Sequence, residues 1–192
     1  MLKVLLVDDT AERASALKEA LDAMEGVVVA CTLESPLELP RWVAEHAPDV
    51  VLIDTESPSR DVLEQLAAVS SSAPRPVVLF TGDSQDETIR SALKAGVSAY
   101  IVDGIAADRL RPIMRVAMER FEADQQLRAE LDQTRTQLAE RKLVERAKGI
   151  IMKQRGLGEE EAFTALRSLA MQRGIRLGEV AQQVIDVASL LA

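Results

Sequence analysis

A doubly wound α/β domain with a five-stranded parallel sheet, then a long helix and a small all-α unit, is the architecture this 192-residue sequence predicts. Three observations predict it. Short runs rich in Val, Leu and Ile alternate with amphipathic stretches over the first 120 residues. A helical pattern without a convincing breaker follows Pro112. The last part turns to helices separated by glycine-containing breaks. It also turns basic: residues 141–176 are net +5, in a chain of −8 overall.

The apolar runs span 2–7, 27–31, 50–53, 77–81 and 99–102, too short for independent helices and read as strands. Helical patterns fill 11–24, 40–46, 61–70, 85–95 and 108 onward. Strands without polar alternation, separated by helices, imply a parallel sheet covered on both faces. Beyond Pro112, residues 113–148 read as one helix, with Ile113, Ala117, Phe121, Leu127, Leu131, Leu138 and Val144 at three-to-four spacing. That stripe is imperfect, with Asp124 and Thr134 in its path, and suits a modest coiled-coil dimer or a helix packed on its own domain. Gly156 and Gly158 bracket a turn. A second helix then opens on Glu159, Glu160 and Glu161, where negative charge favours a helix N-terminus. It runs to about Arg173, Gly174 stops it, and a third spans roughly 177–190. Ala147, Ile150, Leu166 and Ala170 are the expected core of this bundle.

With 47% apolar residues the chain builds a real core. Five aromatic residues are too few for a base-stacking sheet, so nucleic acid would be held by basic helices. One cysteine, Cys31, excludes an internal disulfide and fits a reducing compartment. Within VVVACTL it reads as a strand residue. The N-terminal apolar run is too short for a signal peptide, and no run reaches membrane-spanning length. A cytoplasmic protein without membrane attachment is expected. One histidine, His46, leaves no Ser-His or Cys-His pairing for nucleophilic catalysis and no zinc-type cluster, so no enzyme is expected.

In open parallel sheets the working site lies at the carboxyl ends of the strands. Asp8 and Asp9 follow the first strand here, Asp54 the third, Thr81 closes the fourth and Asp103 follows the fifth. This pattern resembles the receiver domain of two-component response regulators, a flavodoxin-like fold, over residues 1 to about 120. The resemblance implies magnesium on Asp8, Asp9 and Asp54, with Asp54 as phosphoacceptor, Thr81 as the hydroxyl beside it and Tyr100 as the aromatic switch. No cofactor beyond that ion is implied. The fifth strand departs from the pattern. Receivers carry a Lys-Pro pair where this chain has Asp103-Gly104. An anion replaces the cation that meets developing phosphoryl charge, which argues against productive phosphorylation.

ERAKGIIM, a glycine-containing break, EEEAF and AMQRG resemble, in that order, the ANTAR RNA-binding domain of transcription antiterminators. The match places a receiver-like domain at 1–120, a long linker or coiled-coil helix at 113–150 and an ANTAR domain at 132–192. LLVDDTAERASALKEAL, LIDTESPSRDVLE and KAGVSAYIVDG, with the ANTAR segment, further resemble the NasT-type nitrate and nitrite response antiterminators. That family implies paired hairpins in leader mRNA as target, prevention of a terminator hairpin, and sequestration by a NasS-type nitrate/nitrite sensor. RNA polymerase would be affected only indirectly. The expected RNA-binding residues are Arg146, Lys148, Gly149, Lys153, Arg155, Arg167, Arg173 and Arg176. Arginine offers phosphate paired donors, and Gly149 allows close approach. Lys148→Ala is expected to weaken RNA binding and flatten its salt dependence. Two rivals remain: a regulator activated by phosphorylation of Asp54, and a DNA-binding helix-turn-helix protein.

Overall fold

The computed structural model describes residues 1–102 and 107–190. Five strands, β1 (Leu2–Asp8), β2 (Val27–Leu33), β3 (Val50–Asp54), β4 (Val77–Thr81) and β5 (Ala99–Val102), form one parallel sheet in the order β2-β1-β3-β4-β5. The helices are α1 (Ala11–Asp22), α2 (Leu39–His46), α3 (Arg60–Ser72), α4 (Asp86–Lys94), α5 (Ala107–Arg155), α6 (Glu159–Arg173) and α7 (Leu177–Leu190). The chain divides into a unit of residues 1–125 and a second of 126–192, with α5 running from the first into the second.

In the first unit the sheet is covered on both faces, as its unbroken apolar strands require. One core joins Leu5, Val7, Val51, Ile53 and Leu79 of the strands to Leu39 and Val43 of α2, Leu66 and Val69 of α3 and Ala92 of α4. The other joins Val4, Leu6, Leu52, Val78 and Phe80 to Leu17 and Leu21 of α1 and Leu110, Met114 and Ala117 of α5. Each fully buried Val, Leu or Phe contributes roughly 1.5–3 kcal/mol relative to exposure, which makes these two layers the main support of the unit. Cys31 is half-buried on β2 against the first core, and burial, then Glu45, pushes its thiol pKa up. Trp42 and His46 stack one turn apart on α2, with ring centroids 5.2 Å apart.

The long helix departs from its sequence reading at the far end. It passes through Gly149 and ends only at Arg155. A glycine inside a helix costs about 0.5–1 kcal/mol relative to alanine. Ile150 and Ile151, packed against the second unit's core, offset that cost. The apolar stripe serves two purposes. Ile113, Ala117 and Val144 pack on the cores of their own units. Leu127, Leu131 and Leu138 stay 65%, 48% and 53% exposed.

The second unit is built from the end of α5, α6 and α7 around Val144, Ala147, Leu166, Ala170, Val180, Ala181 and Ile185. Ile150 lies partly buried at its edge. Glu161 accepts the Gly158 N–H at 2.9 Å and closes the start of α6. Gly174 ends it with φ +65°, a left-handed conformation that glycine adopts without strain.

Candidate acidic pocket and candidate nucleic-acid interface

β1 and β3 pair in parallel with Asp8 opposite Asp54, so two carboxylates leave the sheet at one level. Asp8 is buried. Its Oδ1 accepts the Thr10 N–H at 2.8 Å, while Oδ2 is buried with no hydrogen-bond partner among the described residues. Asp9 is exposed at the turn into α1, and Asp54 is mostly covered, its side chain 17% exposed. An open pocket of about 500 Å³ lies before Asp54, with Arg13, Thr55, Glu56, Thr81 and Gly82 among its walls and Leu17 and Leu110 on its apolar side.

One residue that sequence reasoning missed organises this pocket. The Arg13 guanidinium lies 3.2 Å from Asp8 Oδ1, 2.8 Å from Asp9 Oδ1 and 3.9 Å from Asp54 Oδ2. Its one signal in the sequence was the Asp9-to-Arg13 spacing of four at the start of a helix. Burial pushes the Asp54 pKa up, Arg13 pulls it back, and Asp8 and Asp9 push it further up. The magnesium ligands implied by resemblance, Asp8, Asp9 and Asp54, therefore meet a guanidinium in this structure. No group of three or more Asp, Glu, His or Cys side chains among the described residues is arranged to hold a metal ion. The donors themselves are hard carboxylate oxygens of the kind magnesium takes, and the orphaned Asp8 Oδ2 suits a cation. Asp103 and Gly104, where the sequence departs from receivers, lie outside the described residues.

The Thr81 hydroxyl, buried at the end of β4, donates to the Glu56 carbonyl at 2.8 Å and accepts the Asp83 N–H at 3.2 Å. Asp83, a second residue the sequence did not single out, ties this loop together. Its carboxylate accepts from the Gln85 N–H, Ser57 and Thr88, and its carbonyl accepts the Tyr100 hydroxyl at 2.8 Å. The Gln85 N–H, then Ser57, holds the Asp83 carboxyl below its ordinary pKa, and burial raises that of Tyr100.

In the second unit, Arg146, Gly149, Lys153, Arg155, Arg167, Arg173 and Arg176 are all exposed. At 3.6 residues per turn, Lys142, Arg146, Gly149 and Lys153 follow one another along a single face of α5. Lys142 was not among the expected contacts. Among the described residues, Arg146, Lys153, Arg155, Arg167 and Arg176 have no carboxylate within ion-pair distance, while Arg173 donates to Gln183 at 2.8 Å. Nothing lies within 4 Å of where a Gly149 Cβ would stand, so neighbouring packing does not require this glycine. Arg155 and Arg173 also border a groove of about 470 Å³ between α5, α6 and α7, with Gln154, Gln172 and Gln183 beside them.

Lys148 takes a different place from the one its charge suggested. It is buried, and its Nζ donates to Glu145 at 3.0 Å and to Glu159 at 2.7 Å. These bonds, to Glu159 first, raise the Lys148 pKa and lower that of Glu159. Where the sequence reading expected a phosphate contact, the structure shows Lys148 buried and paired with carboxylates of α5 and α6. Lys148 lies one turn after the core residue Val144 and beside buried Ala147, which puts it on the inward face of α5.

Comparison with known proteins bears on both units. The response regulator receiver domain family matches residues 4–115, and the ANTAR domain family matches residues 132–185. The transcriptional regulatory protein PdtaR of Mycobacterium tuberculosis (strain ATCC 25618 / H37Rv) is 31% identical over 184 residues, 96% of this chain and 89% of that protein. A nitrate regulatory protein of Klebsiella oxytoca is 34% identical over 88 residues, 46% of this chain and 22% of its own. Among solved structures, the signal receiver domain of a modulated diguanylate cyclase from Desulfovibrio desulfuricans G20 superposes with TM-score 0.56 at 24% identity, covering 65% of this chain and 99% of that one. A CheY-like receiver domain protein from Methanospirillum hungatei JF-1 gives TM-score 0.56 at 22% identity, covering 65% of this chain and 98% of that one. These structures share the fold of the first unit.

Proposed function

The chain belongs to the ANTAR-domain response regulators, and from that premise we propose that it is a transcription antiterminator that binds paired hairpins in leader mRNA and keeps a terminator hairpin from forming. The observation that carries the RNA reading is the face Lys142, Arg146, Gly149, Lys153. It offers cations without carboxylate partners among the described residues, around an exposed glycine that neighbouring packing does not require. A gap between cations lets a phosphate backbone come close to the helix, and cations without internal partners have more to gain from phosphate. Arg155, Arg167, Arg173 and Arg176 extend the positive surface, and Lys148 holds α5 to α6 behind it.

Control by a NasS-type nitrate or nitrite sensor that sequesters the protein is the regulatory half of the proposal. It rests on the NasT-type resemblance and on a nitrate regulatory protein among the relatives. The state of the pocket supports control without phosphorylation. Arg13 already neutralises part of its charge, and the Thr81 hydroxyl is committed to the Glu56 carbonyl. Phosphorylation of Asp54 is the second reading, favoured by one observation: Asp54 borders an open pocket from which a small phosphodonor can approach. Magnesium, when bound by Asp8, Asp9 and Asp54, would supply positive charge to phosphoryl oxygens.

A gel shift of the full chain on a two-hairpin leader RNA, against duplex DNA, with and without acetyl phosphate, separates these readings. Tight RNA binding without phosphodonor is expected. Preference for duplex DNA would overturn the RNA reading, and binding only after acetyl phosphate would replace sequestration by phosphorylation.

A further inference from the structure

Arg13 stands where electrostatics would not ordinarily put a cation. It lies in the first turn of α1, at the positive end of the helix dipole, and anions are preferred there. What holds it is a set of three carboxylates from two strand ends and a turn, at 3.2, 2.8 and 3.9 Å. The set is not fully served. Asp8 Oδ2 is buried without a hydrogen-bond partner among the described residues, and a buried polar oxygen left unpaired is unfavourable. Asp8 and Asp54 are register partners at the ends of two paired strands, while the Arg13 side chain is 44% exposed and so borders solvent.

We propose that the Arg13 guanidinium is the resident counter-cation of the acidic pocket, and that a divalent cation gains Asp8 and Asp54 only by displacing it. The two cations exclude each other because both need the same oxygens. A guanidinium spreads one charge over a planar fork, whereas a divalent ion draws carboxylate oxygens inward to about 2.0–2.6 Å. The pocket is thereby partly neutralised without metal, and metal entry is coupled to release of the Arg13 guanidinium from its carboxylates. The coupling is a property of this chain's first unit and stands apart from the RNA reading.

The test is a titration of the purified full chain with Mn²⁺, free ion followed by electron paramagnetic resonance. Arg13→Gln is expected to bind Mn²⁺ at least about tenfold more tightly than the wild type, and Mg²⁺ to compete for the same site. Asp54→Asn added to Arg13→Gln should abolish the gain. Arg41→Gln, an equal change of net charge on α2 away from the pocket walls, should leave binding unchanged. Should circular dichroism show that Arg13→Gln does not fold, Arg13→Lys carries the same comparison, with a smaller gain expected from its lost fork. Mn²⁺ affinity no higher than wild type, a gain that survives Asp54→Asn, or an equal gain in Arg41→Gln would each overturn the proposal.

Discussion

Asp54 carries a charge that its surroundings oppose. Burial and the neighbouring Asp8 and Asp9 raise its pKa, and Arg13 only partly corrects this. A carboxyl whose folded pKa lies above its unfolded value binds more protons folded than unfolded. Stability is then lost as pH rises from the ordinary Asp range through the raised value, and the loss is complete above it. Asp54→Asn should therefore raise the thermal midpoint at pH 7, and the advantage should shrink as pH falls below about 4, where the unfolded Asp is also protonated. A variant no more stable than wild type at pH 7 would mean that Arg13 has already cancelled the burial cost. Gly149 offers a second residue-level prediction, in which stability and function move oppositely. Its site is helical, exposed and open, so Gly149→Ala should stabilise the second unit by about 0.5–1 kcal/mol. If RNA lies against that face, the same methyl group should weaken binding. Calorimetry and a gel shift on the same variant read both signs, and unchanged RNA affinity would take Gly149 out of the interface.

The apolar stripe of α5 changes surroundings along its length. Its first turns and its last turns are buried in their own units, while Leu127, Leu131 and Leu138 keep the four-and-seven spacing of a coiled-coil seam with no cover. The coiled-coil dimer expected from the sequence, if it forms, would bury this seam against a second copy of the chain. Burying one leucine is worth roughly 1.5–3 kcal/mol, so Leu138→Lys should weaken a dimer by at least about tenfold. Sedimentation equilibrium decides it, and a wild type that stays monomeric at tens of micromolar would remove the seam. The strands were legible in the sequence because runs such as VVLID and VVLFT are short, rich in β-branched residues and flanked by helical patterns, as a covered parallel sheet requires. The end of α5 was not legible, because a glycine's local penalty is smaller than the packing of Ile150 and Ile151 beyond it. Arg13 and Lys148 were illegible for a related reason. Each is placed by carboxylates from elsewhere in the fold, Asp54 from β3 and Glu159 from α6, and only the near partners, Asp9 and Glu145, showed in the local spacing.

For the molecule as a whole, charge separation sets the terms of any contact with nucleic acid. Residues 141–176 are net +5, so the rest of the chain carries −13. A polyanion is attracted by the net charge of that stretch and repelled by that of the rest of the chain taken together, which orients its approach and makes the contact depend on ionic strength. Each phosphate neutralised releases counterions and adds about 0.7–0.9 to the slope of log affinity against log salt. Cations of the exposed face and the buried clamp should then part company. Arg146→Ala and Lys153→Ala should each lower the slope by roughly that amount while leaving the thermal midpoint near wild type. Lys148→Ala should do the reverse. Its Nζ is turned to Glu145 and Glu159, so its loss should lower the midpoint of the second unit with little change in slope. The clamp also has a pH signature. Glu159, with its pKa lowered by Lys148, contributes stability that is present above the ordinary Glu range and lost as pH falls through its lowered value. Glu159→Gln should flatten that acid limb. The deciding measurement is the salt slope of all three variants on one RNA. A slope that falls for Lys148→Ala and holds for Arg146→Ala and Lys153→Ala would show that RNA opens the α5–α6 contact and takes the buried lysine for itself.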